Sequence, residues 1–258
     1  MGGDDLDGDA QFLNPLANVD DDDEEDVVLQ KQTEKKRKRE EKENNDEIVP
    51  TKKKPSMKQL IQSGRDLHKE TAIVQAKFLL SSVRHHSQMK GNGNPENIKI
   101  DKSRLLQTSS VTMIARLKDV VSMKKLKKWQ PIGSPMVIIL CISARRVVEV
   151  LKELSALKVR IAKLFAKHMD INEQKRLLSQ QSFGLAVGTP NRILALCNND
   201  VKDLSFEKTS HIILDTHTNQ KGFTVCTLPD TAPDTMEIIE KKILPELSRR
   251  RDIKISFL

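Results

Sequence analysis

In the stretch Phe183 to Leu196, reading FGLAVGTPNRILAL, an apolar run of strand character reaches Gly188, breaks at Thr189-Pro190 and restarts as a helical pattern with Arg192 in its first turn. A helix start presents unpaired backbone N–H groups and a partial positive charge, so it suits a phosphate, and a first-turn arginine adds a fork of donors. A second loop, Ser143-Ala144-Arg145-Arg146, follows another apolar run and brings two more arginines to a helix start. Alone, each loop has a plainer reading: Arg145 and Arg146 as solvent-facing residues, Thr189-Pro190 as an N-cap with proline at the first helical position. Together, on one edge of a sheet, they are a cradle for consecutive backbone phosphates.

Other chemistries find less support. His168 has no cysteine or serine partner at a telling spacing, and His68, His85, His86, His211 and His217 form no metal motif. Cys141, Cys197 and Cys226 are odd in number and far apart, which indicates reduced core residues and neither a disulfide framework nor a zinc site. A further cationic group, Arg116, Lys118, Lys124, Lys125, Lys127 and Lys128, precedes Trp129, the only tryptophan. It reads as a phosphate-binding face with an aromatic beside it. The alternatives stay open: cations as dipole partners at a helix end, Trp129 as a core anchor.

The elements that must hold these residues follow from periodicity. From Ser56, apolar residues recur three and four apart to Val83, which predicts a long helix or two, ended by GNGNP at Gly91 to Pro95. Asp101 reads as the N-cap of a second helical region reaching about Lys128. Beyond Pro131 and Pro135 the pattern changes. MVIILCI, Met136 to Ile142, is a continuous β-branched run, as in a strand buried on both faces of a parallel sheet. Strands at Val159 to about Phe165, Gly184 to Val187 and HIILD alternate with helices opened by Ser143, by Asp170 with Glu173, and at Pro190. Asp234 with Glu237 reads as the cap of a last helix, before the closing strand IKISFL. Such alternation implies a parallel sheet with helices on both faces and its functional loops at the carboxyl ends of the strands. Those loops are Ser143 to Arg146, Ala166-Lys167-His168, Gly188 to Arg192 and Asp215 to Thr218.

Charge adds a partner class. Of the 258 residues, the first 30 carry eleven Asp or Glu and no Lys or Arg, so a net +8 overall leaves +19 on the rest. A field of that sign favours a polyanion, nucleic acid ahead of membrane. The acidic start, with seven carboxylates from Asp20 to Asp26, is expected to be a disordered tail. It reads as a solubilising segment, a dock for basic partners or a shield for the basic body. KKRKR, Lys35, Lys36, Arg37, Lys38 and Arg39, resembles a nuclear localisation signal. No run of eighteen apolar residues and no secretory signal pattern is present, so a soluble, intracellular protein without membrane contact is expected.

The order VIILCISARR, TPNR and IILDTHT resembles the first RecA-like domain of DEAD-box RNA helicases, whose corresponding motifs read PTRE, TPGR and DEAD, over about residues 136 to 218. KLFAKH at Lys163 to His168, VGTPNRI at Val187 to Ile193, and the acidic then basic N-terminus resemble the CMS-one family of nucleolar small-subunit pre-ribosome proteins, from roughly Lys31 to Leu258. The helicase resemblance implies RNA-backbone contact by Ser143 and Arg145, with Arg146 and Lys167 beside them, and by Thr189 and Arg192. The departures bear on catalysis. No GK[ST] occurs, so the phosphate-cradling lysine loop is missing; Asp215 is kept, but Thr216 and Thr218 stand where a glutamate and a second aspartate belong. Asn191 replaces a glycine, and the chain ends where a second RecA-like domain would begin.

The expected fold class is α/β: a parallel sheet flanked by helices, a single RecA-like domain without the P-loop. The expected layout is a tail over 1–55, a basic helical region over 56–130 and the α/β domain over 131–258. The expected function is a non-enzymatic RNA- and protein-binding assembly factor of the small-subunit pre-ribosome, active in rRNA processing in the nucleolus. No cofactor, metal or ATP is expected; its partners would be pre-ribosomal RNA and assembly factors or ribosomal proteins. The alternative is a nucleolar protein-interaction adaptor without RNA contact.

Overall fold

A run such as Val137–Leu140, β-branched and apolar at every position, has no polar side to offer water, so it must be covered on both faces. The computed structural model describes residues 57–91, 99–110, 112–167, 169–198 and 203–258. The acidic tail, the KKRKR run, most of the GNGNP turn and His168 therefore lie outside the described residues.

Six strands form one wholly parallel sheet: β1 (Leu105–Leu106), β2 (Val137–Leu140), β3 (Ile161–Leu164), β4 (Leu185–Gly188), β5 (His211–Leu214) and β6 (Lys254–Phe257). Their spatial order is β1-β6-β5-β2-β4-β3. The register is flush at the centre, with Leu140 opposite both Gly188 and Leu214. Each strand turns alternate residues to opposite faces. Ile138 and Leu140 join a core under α2 (Ala72–Met89), α7 (Pro190–Cys197) and α8 (Ala232–Ile238). Val137 and Ile139 join the other, under α3 (Met113–Val120), α4 (Met123–Lys127) and α5 (Ala144–Leu154). All four β2 residues are fully buried, at roughly 1.5–3 kcal/mol for each large side chain.

The helical region before residue 130 is part of this body. α1 (Met57–Arg65) and a short 3₁₀ turn precede α2, whose N-cap Thr71 accepts from the backbone N–H of Val74. The helix expected from Asp101 to Lys128 is not continuous. Asp101 caps only a 3₁₀ turn, accepting from Ser103 N, and Leu105-Leu106 then pair with Ile255 and Ser256 as an edge strand. Two residues are too few to show a strand period, so helical spacing from Leu105 to Leu126 masked a strand followed by two short helices. The last helix also starts earlier than expected: Thr231 is its N-cap, while Asp234 and Glu237 lie inside α8. A π-helical stretch, Ile239–Ile243, joins α8 to α9 (Leu244–Arg249).

α2 is held to this last helix by polar contacts. Ser87 Oγ donates to Glu240 Oε1 at 2.7 Å, and Glu237 accepts from both Lys90 and Lys241. Those two lysine hydrogen bonds, Lys241 first, hold the Glu237 carboxyl down to about 2 against the opposing effect of burial. A carboxyl depressed on folding contributes stability that is complete above its unfolded value near 4.5 and is lost as pH falls toward 2. Stability should therefore decline over that window in urea titrations, and Glu237→Gln should flatten the decline; an unchanged slope would show that the pair contributes nothing.

Gly188 ends β4 where strands crowd most closely. A Cβ there would lie 2.3 Å from Leu164 O and 2.6 Å from Leu164 Cβ. Gly188→Ala should force β3 and β4 apart, at about 1–3 kcal/mol or more by urea unfolding, although its side chain adds a single methyl group.

Candidate functional site

Because β2, β4 and β5 end level, the loops that follow them share one edge of the sheet. Ser143 caps α5, its hydroxyl accepting from Arg146 N at 3.2 Å. Asp215 follows β5 with its own N–H bonded to Leu140 O at 3.0 Å, which fixes it beside the β2 loop. Arg146 reaches across and grips it through two bonds, Nε to Oδ2 at 2.8 Å and a terminal nitrogen to Oδ1 at 3.2 Å. A third bond goes to Glu149 at 3.3 Å. Asp215 is 1% exposed and the Arg146 side chain 15%. Burial alone would lower the Arg146 pKa, but the hydrogen bonds to Asp215 outweigh it and raise the value, so the charge is fixed. Beneath, burial and then the Asp215 charge push the Cys141 thiol well above its ordinary value, which leaves it unreactive.

The second arginine loop is also turned inward. Thr189 stands at the N-cap of α7, its N–H bonded to Leu164 O at 3.0 Å and its hydroxyl making no cap bond. One terminal nitrogen of Arg192 donates to Met169 O at 3.3 Å and to Gln174 Oε1 at 3.0 Å. Gln174, buried in α6 (Ile171–Gln180), donates in turn to Lys163 O and Phe165 O. Arg192 thus ties the start of α7 to the loop after β3. Asp170 caps α6 through Asn172 N, one residue short of the capping-box partner expected at Glu173.

Thr216 fills the place after Asp215. Its N–H and hydroxyl both bond Leu258 O, at 2.6 and 3.1 Å, and its hydroxyl lies 3.2 Å from His68 Nδ1. His217 is exposed and Thr218 half-buried. Both carboxylate oxygens of Asp215 accept from within the protein, so this carboxylate is the counterion of Arg146.

Other cations on this edge, among the described residues, include Arg145, whose side chain is 91% exposed and 3.5 Å from Glu149, and the exposed Lys167. Arg116 also lies at this end, its Nε donating to Ser110 O at 2.7 Å, and it shares with Arg146 the lining of a cleft of about 400 Å³.

The lysine cluster lies elsewhere. Gly184 precedes β4, and a Cβ on it would meet Leu126 O at 2.8 Å, so α4 sits over the amino end of that strand. Trp129 Nε1 donates to Ser134 O at 2.9 Å just ahead of β2, and the half-buried ring packs in the core beside α3 and α5. Lys118, Lys124, Lys125, Lys127 and Lys128 are exposed and make no ion pair among the described residues. The structure therefore separates the two predicted sets: the arginine loops occupy the carboxyl edge and the lysines the amino edge, about 13 Å apart along a four-residue strand. The inward pairing of Arg146 and Arg192 has no sequence signal, since their partners lie 69 and 18 residues away. The three cysteines are buried and free, and no group of three or more metal-ligating side chains exists among the described residues.

A parallel sheet in this order, with helices on both faces and its loops gathered on the carboxyl edge, defines an open α/β domain. The chain belongs to the CMS1 family, described as the U3-containing 90S pre-ribosomal complex subunit, whose model matches residues 17–258. It is similar to Protein CMSS1 of Danio rerio, 28% identical over 178 residues, which is 66% of this chain and 60% of that protein. Protein CMSS1 of Xenopus laevis is 32% identical over 125 residues, 47% of this chain and 44% of that one. The matched part thus spans about half the length of these curated relatives. Among solved structures, a DEAD box protein from the hyperthermophile Methanococcus jannaschii overlaps 67% of this chain and 46% of its own, at 18% identity and a TM-score of 0.41.

Removing one member of a buried ion pair leaves the other charge unpaired, at about 3–5 kcal/mol. Asp215→Ala and Arg146→Ala should each cost that much by chemical denaturation, and the double variant distinctly less than the sum. Additive costs would show that the pair is not coupled.

Proposed function

We propose that the chain is a non-enzymatic RNA- and protein-binding assembly factor of the small-subunit pre-ribosome, serving rRNA processing in the nucleolus without ATP or any other cofactor. The observation that carries the reading is the cluster of exposed, unpaired lysines on α3 and α4 in a member of a pre-ribosomal family. Such lysines attract a polyanion and release its counterions on binding. The absence of a GK[ST] loop and the full occupation of Asp215 by Arg146 support the non-enzymatic half. On the carboxyl edge, Arg145 and Lys167 are exposed cations open to a partner, with Ser143 and Thr189 beside them; Arg146 and Arg192 act by holding the loops in place.

The internal bonds of those two arginines also favour a second reading, an adaptor whose loop arginines are structural and whose basic surface meets acidic proteins. Titration of the full chain with single- and double-stranded RNA at rising salt separates the two. RNA binding should weaken linearly on logarithmic axes, with a slope set by the number of phosphates neutralised. An affinity that is absent or indifferent to salt would leave the adaptor.

A further inference from the structure

The amino edge of the sheet carries more charge than the lysine cluster alone. Lys102, Lys158, Lys208 and Arg251 each stand three residues ahead of a strand, before β1, β3, β5 and β6 respectively. In a parallel sheet, positions at a constant offset ahead of their strands fall on one edge. The remaining strands, β2 and β4, are covered on the same edge by α4 with Lys127 and Lys128. In the spatial order of the strands the row reads Lys102, Arg251, Lys208, the α4 lysines and Lys158, with no strand left without a cation. All six side chains are exposed, and none makes an ion pair among the described residues. Six strands at about 4.8 Å spacing make the row roughly 24 Å long.

Most of the carboxylates nearby are engaged. Glu246 accepts from Arg249 and Arg250, Asp252 from Arg250 and Asp101 from Ser103 N, and Asp203 forms an ion pair with Lys175. The ground under the row is tied down: Arg250 donates to Phe206 O and Thr209 O, Arg104 to Leu247 O and Ile253 O, and Lys254 to Ser103 O. A line of exposed cations on a braced frame suits the sugar-phosphate backbone, which offers charge at regular intervals.

We propose that the amino edge of the sheet, from Lys102 to Lys158, is the main RNA-backbone track of this protein, and that the carboxyl edge with its internally bonded arginines is secondary. The inference rests on the RNA-binding reading above and locates it.

The test uses the full chain and a 20-nucleotide unstructured RNA over a salt series. Lys158→Glu, Lys208→Glu and Arg251→Glu together should weaken binding about a hundredfold and lower the salt slope by about two to three. The same three positions changed to Gln, a milder alteration of exposed residues, should weaken it about tenfold. A charge-matched control, Lys77→Glu, Lys152→Glu and Lys221→Glu, should stay within about threefold, and Arg145→Glu with Lys167→Glu should lose no more than about tenfold. An equal loss in the control, or a larger loss at the carboxyl edge, overturns the track and leaves RNA binding intact. No salt-dependent binding by the unaltered chain overturns RNA binding itself, and the track with it. Polyglutamate bound as tightly as RNA and lost in the same triple variant would make the strip a face for acidic proteins, which also overturns it.

Discussion

Level strand ends are the constraint from which the rest of the molecule follows. Leu140 stands opposite Gly188 on one side and Leu214 on the other, so β2, β4 and β5 finish together and their loops meet. This alignment brings Ser143, Thr189 and Asp215 onto one edge, although 46 and 26 residues separate them in turn along the chain. It also gives the protein two unlike ends. The carboxyl end is a closed polar network, and the amino end is a row of free cations on a braced frame.

The closed end shows how buried polar groups on a sheet edge are satisfied from within the protein. A lone buried aspartate costs several kcal/mol unless its charge is answered. Arg146 answers it with two bonds, and Arg192 in the same way satisfies the buried Gln174. Thr216, the next residue, bonds the Leu258 carbonyl with both its N–H and its hydroxyl. Arg146 and Arg192, read in the sequence as phosphate ligands, bond here to partners within the protein, whereas Arg145 stays exposed.

The architecture was legible in the sequence because its cues are local. The β-branched run at Met136 to Ile142, the cap at Ser143 and the Thr189-Pro190 helix start each act within a few residues, and β2, α5 and α7 fall where those cues place them. What was hidden is what depends on distance. Leu105-Leu106 becomes a strand only because β6 offers it an edge, and no two-residue pattern announces that. Whether an exposed-looking arginine points outward is decided by a partner far along the chain, as Asp215 decides for Arg146. The row of strand-leading cations is invisible until the strand order is known, because spacing along the chain scatters it.

The pairing of β1 with β6 bears on how the molecule is made. Lys254 and Ser103, which fasten that pairing, are 151 positions apart, and Ser87 and Glu240, which fasten α2 to the last helix, are 153 apart. During synthesis α2 and β1 therefore emerge well before α8 and β6, the partners that these contacts join to them, while β2 to β5 can begin to assemble. The apolar side of α2, including the fully buried Leu79 and Val83, lacks its cover from α8 through that interval. Pairing of β6 with β1 thus joins elements made far apart in time, and it covers apolar surface that has waited since α2 and β1 emerged.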